Sequence, residues 1–185
     1  MSMPRKVWLL TSFCAATTVS FLGYTLFLRH GKPLGDSPHV EFPTTVKSPE
    51  EIEEFLSGNY AVIDRVELLP EPVRFLYTEV GGTRFTMANP EKKFEKTDFI
   101  TDASIPMKRL ILAGNYGNKC FVHYEHGGIG LHSDLALFQL TSPTYVQPVW
   151  EGVCGDVGQD AAKNLAELRM LVARGQCQDK NRLRR

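Results

Sequence analysis

The sequence predicts an α+β domain, mainly antiparallel sheet with a C-terminal helix packed on it, tethered behind an N-terminal transmembrane helix. Three observations carry that reading. Strand-forming runs flank two Gly-Gly pairs, Gly81-Gly82 and Gly127-Gly128, and such pairs supply the positive φ angles that tight β-hairpins demand. Ala161, Leu165, Leu168 and Val172 recur at amphipathic-helix spacing between Gly158 and Arg174, which Gly175 should end. Val7 to Leu28 is uncharged throughout, long enough to cross a hydrocarbon core of about 30 Å as a helix.

The apolar stretch is bracketed by Arg5/Lys6 and Arg29/Lys32. Phe21, Tyr24 and Phe27 crowd its far end, where a cleaved signal peptide would carry small residues, so a retained signal anchor over 7–28 is expected after a 1–6 tail. The basic flanks balance and leave orientation undecided by charge. The short N-terminal tail and the cysteines favour a domain on the extracytoplasmic side of the cell membrane. Residues 29–47 include Pro33, Pro38 and Pro43, a composition that favours an extended stalk.

The domain is expected over 48–177. Ser48-Pro49-Glu50-Glu51 reads as an N-cap, a proline in the first turn and a capping-box glutamate, so a short helix should run to Gly58. Tyr60–Leu69 is rich in strand formers, and Pro70-Glu71-Pro72 should break it. Val73–Val80 and Thr83–Ala88 should form a hairpin through Gly81-Gly82, with Glu79 opposite Arg84. Asn89–Asp98 is a polar loop. Met107–Ala113 reads as a strand closed by the turn-rich run from Gly114 to Asn118, and Val146–Val153 as another.

Lys119 to Leu135 holds three of the five histidines. A two-residue turn at Gly127-Gly128 sets His126 opposite Ile129, Tyr124 opposite Leu131 and His123 opposite His132. One face is then apolar (Val122, Tyr124, Ile129, Leu131, Leu135). The other gathers His123, Glu125, His132 and Asp134, while His126 falls on the core side.

Among the cysteines outside the apolar stretch, Cys120, Cys154 and Cys177 fit neither a zinc ribbon nor a CxxC motif. A helix of about 16 residues spans about 24 Å. It should return the chain to the start of the hairpin and place Cys177 beside Cys120, leaving Cys154 unpaired. A Cys120–Cys177 bond would accord with an oxidising compartment.

Between Pro33 and Asp179 there are 13 basic and 21 acidic residues. That balance argues against a nucleic-acid partner, which needs a basic surface. Basic residues collect instead at the chain ends, including a tail over 178–185. No G-x-S-x-G, H-E-x-x-H, phosphate-binding loop or dinucleotide fingerprint is present. The layout implies a membrane-anchored, extracytoplasmic binding or accessory domain that needs no cofactor, with the membrane (through 7–28) and an envelope protein as partners. The alternative is a small zinc-like hydrolase or metal-binding domain. There His123 and His132, with Glu125 or Asp134, would hold a divalent transition metal and leave a position for water.

Overall fold

The structure, a computed structural model, describes residues 42–43, 47–78, 85–97, 102, 104–128, 130–156 and 162–180. All belong to one compact unit, 36–185. The expected membrane helix 7–28, most of the 29–47 stalk, the Gly81-Gly82 turn and the end of the basic tail lie outside the described residues. No helix among the described residues is long and apolar enough to cross a membrane.

Helix α1 (Pro49–Leu56) starts as its sequence dictates. Glu51 N–H donates to Ser48 Oγ (3.3 Å) and Ser48 N–H donates to Glu51 Oε2 (2.9 Å), a reciprocal capping box. Its apolar stripe, Ile52, Phe55 and Leu56, is buried. β1 (Ala61–Ile63) follows, then a 3-10 turn (Val66–Leu68) and helix α2 (Glu71–Leu76). The strand expected over Val73–Val80 is therefore corrected in its first half. Pro72 sits in the first turn of α2, where a missing N–H costs nothing and a fixed φ favours helix. Beyond it Thr78 bridges Phe85 antiparallel, and Thr86 N–H donates to Tyr77 O (2.8 Å). These pairs lie in the register that a two-residue Gly81-Gly82 turn implies.

β2 (Met87–Ala88), β3 (Lys108–Tyr116), β4 (Lys119–His126), β5 (His132–Ser142) and β6 (Tyr145–Asp156) lead to helix α3 (Leu165–Ala173) and β7 (Cys177–Asp179). The seven strands form a mainly antiparallel sheet of order β1-β3-β4-β5-β6-β7, with β2 alone parallel, beside β3. β3 and β4 join through a two-residue loop at Gly117-Asn118, since Tyr116 pairs with Lys119. Gly117 takes φ 57° there, the positive value such turns place on glycine. α3 is capped by Asn164, whose side chain accepts from Glu167 N–H, and Gly175 follows it at φ 66°.

Both faces of the sheet are covered. α1 and α3 bury Ile52, Phe55, Leu56, Leu168 and Val172 against Phe121, Leu135, Leu137 and Trp150. On the other face Val66, Leu69, Val73 and Tyr77 pack on Leu110, Val122, Tyr124, Ala136 and Phe138. Arg169 of α3 donates to Leu56 O (2.6 and 2.9 Å) and Gly58 O (2.7 Å). It thus satisfies carbonyls that the end of α1 leaves without intrahelical partners.

The disulfide is Cys154–Cys177, and Cys120 is a free, buried thiol, which corrects the expected Cys120–Cys177 bond. α3 has nine residues and so rises only about 14 Å, too little to carry the chain back across the sheet. It turns at Gly175 and adds β7 to β6 with Cys177 directly opposite Cys154. Cys120 points into the other face, beside Val122 and Phe138. β7 also takes Gln178 and Asp179 into the sheet, opposite Val153 and Gly152.

Loss of the bond in Cys154→Ser/Cys177→Ser should lower unfolding stability by about 3 kcal/mol, the loop-closure value for a loop of this length, measured by urea denaturation. Burial pushes the Cys120 thiol up to about 12. Peptide mapping after alkylation should therefore find Cys120 modified only once the chain is unfolded, and Cys154 and Cys177 only after reduction.

Candidate functional site

The β4–β5 hairpin is three residues out of the register that a two-residue turn imposes. His126 pairs with His132, Tyr124 with Asp134 and His123 with Leu135. Because side chains alternate along a strand, an odd slip moves the second strand's whole set to the other face relative to the first. His132 and Asp134 therefore share a face with His126 and Tyr124, and His123 and Glu125 face the opposite way. This corrects the expected quartet of His123, Glu125, His132 and Asp134: two members are brought together, two are not, and His126 joins where it was expected to be excluded.

The glycines explain the slip. Gly127 N–H donates to Met107 O (2.8 Å) and Gly128 N–H to Lys96 O (3.3 Å). A Cβ on Gly127 would lie 1.9 Å from Glu95 O, so only glycine permits this approach. The loop is anchored to neighbouring backbone rather than folded on itself.

At the centre of the site is Asp134, whose side chain is 0% exposed. Its Oδ2 accepts from Lys180 Nζ (2.8 Å) and faces His126 Nδ1 at 3.2 Å. Its Oδ1 lies 3.5 Å from His132 Nε2 and has no hydrogen-bond partner. At that separation the pair lacks hydrogen-bond geometry. Burial by itself would raise the Asp134 carboxyl. The His126 hydrogen bond, Lys180 and His132 outweigh it and hold the group below its ordinary value.

The polar chain continues inward. Lys180 also donates to Glu151 Oε1 (3.0 Å), which accepts from Tyr124 OH (2.6 Å). Lys108 lies over the rings of Tyr77 and Tyr124, 5.7 and 5.4 Å from their centroids. Burial lowers its pKa, with Glu151 opposing. A β3 irregularity at Ile111 sets Lys108 opposite His126, and a second one separates His132 from Asp134 along β6. Such bulges re-aim side chains.

The displaced pair has other employment. Glu125 is bonded to Arg109, which stacks over Phe94 at 4.4 Å. His123 is fully buried; its Nδ1–H donates to Asp134 O (3.1 Å), and its Nε2 has no partner. Burial lowers its pKa to about 4.

The chain shows no significant match to any family model, curated protein or solved structure. The site is therefore read from its own chemistry. Two imidazoles and a carboxylate offer one ligand atom each, all within 4.8 Å of one another. Sequence reasoning missed His126, Lys180, Glu151, Tyr124 and Lys108. Gly130, at φ 79°, was the available signal: a third glycine is more than a two-residue turn requires.

His123 makes stability depend on pH. Its pKa falls on folding from 6.5 to about 4, so in that window the unfolded chain binds the additional proton. Its contribution is fully present above pH 6.5 and should decline by roughly 3 kcal/mol as the pH falls towards 4. His123→Asn, which retains a donor for Asp134 O, should remove this component, seen as a smaller difference between urea unfolding at neutral and acid pH.

Proposed function

We propose that the protein is a single-pass membrane protein whose α+β domain lies on the extracytoplasmic side. There it serves as a binding or accessory domain for a protein partner in the same envelope. The observation that carries this reading is the Cys154–Cys177 disulfide, since such bonds form and persist in oxidising compartments. The uncharged stretch 7–28 supports an anchor on the grounds of length and composition. The acidic balance of 33–179 supports a protein rather than a nucleic-acid partner.

The buried hydroxyl and thiol of β5 and β4 favour binding over covalent catalysis. Ser133 is buried and its hydroxyl donates to Cys154 O. Cys120 is buried with its thiol pushed up to about 12, far from the thiolate form that nucleophilic cysteines need.

Protease treatment of sealed membrane vesicles of known orientation, carrying the full chain, tests the reading. The domain should be digested from the extracytoplasmic side. Cys154 and Cys177, trapped by acid in whole cells, should react with a thiol reagent only after reduction. Digestion confined to inverted vesicles, with both cysteines reacting directly, would overturn it.

A further inference from the structure

We propose that His126, His132 and Asp134 form a binding site for one divalent transition metal ion of the zinc type. Metal binding here requires no membrane anchor. The proton on His132 is placed by its neighbour. Nδ1 of that ring lies 2.7 Å from Gly130 O, and a carbonyl oxygen only accepts, so Nδ1 carries the hydrogen. In the neutral ring Nε2 then presents a lone pair to Asp134 Oδ1 at 3.5 Å, setting two acceptors against each other. That carboxylate oxygen is buried without a hydrogen-bond partner, an arrangement that costs free energy unless a cation satisfies both groups.

The donor set fits the ion. Two imidazoles and one carboxylate are the three protein ligands of open zinc sites, with the remaining position left to water. For metal–ligand bonds of about 2.0–2.1 Å, a tetrahedral edge is about 3.4 Å. The three ligand atoms lie within 4.8 Å of one another; the imidazoles stand 3.2 and 3.5 Å from different oxygens of Asp134, so the carboxylate turns to present one oxygen to both when the ion binds. A ligating histidine usually gives its other N–H to a backbone carbonyl, which is what Gly130 O receives. His126 becomes the third ligand when its proton shifts from Nδ1 to Nε2. The histidine side chains are 29% and 26% exposed, so the ion has a path from solvent while the carboxylate stays buried.

Lys180 sets the affinity. Its ammonium group holds Asp134 Oδ2 and opposes a second cation on the same carboxylate. Removing that charge should strengthen binding by about tenfold.

The test is calorimetric titration of the metal-stripped full chain, in detergent and without a histidine tag, with zinc chloride alone. One ion should bind per chain. His132→Gln and Asp134→Asn should abolish binding, Lys180→Met should strengthen it, and His123→Asn, on the opposite face, should leave it unchanged. X-ray absorption of the zinc-loaded parent should show two imidazoles and a carboxylate, a readout that holds even if a variant fails to fold. No uptake by the parent, uptake that His132→Gln and Asp134→Asn leave intact, or a zinc shell without imidazole would each overturn the proposal. The first outcome would assign the Nε2–Oδ1 contact to a protonated His132 instead.

Discussion

The register of β4 against β5 is the constraint on which the remaining structure depends. It decides which side chains share a face along the two most deeply buried strands, and so what the helices cover and what the polar end contains. Backbone contacts set it. Gly127 comes so close to Glu95 that no side chain would fit, and its amide is held by Met107 O. The loop is anchored to the segment preceding β3, and the strands rejoin at His132, six residues past His126, rather than three residues past it as a two-residue turn requires.

With that register in place, the sheet is apolar on both faces along most of its length and polar at one end. Antiparallel sheets often leave one face to water. Here α1 and α3 cover one face while the 3-10 turn and α2 cover the other, so His123 and Asp134 are buried although on a solvated hairpin they would be ordinary surface groups. The consequences diverge. His123 remains neutral through burial. Asp134 remains charged because Lys180 and His126 offset the cost of burying it.

Lys180 reaches Asp134 only because β7 folds back along β6. The Cys154–Cys177 bond and the pairing of Gly152 with Asp179 fix the chain's last described strand on the sheet edge. Trp150 Nε1–H donates to the buried Asp179 (2.8 Å), tying the same edge to the core under α3. The disulfide edge and the histidine site are thus coupled through two adjacent residues of β7's end, Asp179 on one face and Lys180 on the other.

Local chemistry was legible in the sequence. The capping box of α1, the end of α3 at Gly175, the strand character of β3 to β6 and the antiparallel sheet all follow from side-chain spacing and from what glycine and proline permit. Ionisable groups around the 119–135 hairpin were legible too, but their partners were not. A pair of glycines is compatible with a tight turn and with a close backbone approach, and only the neighbouring segment 95–107 distinguishes them. The choice moves His126 into the site and His123 out of it. Likewise, cysteine spacing is compatible with more than one pairing, and the short rise of α3 with the return of β7 selects Cys154–Cys177. Periodicity is a property of one segment, whereas register and cross-linking are properties of two, and these tertiary structure alone decided.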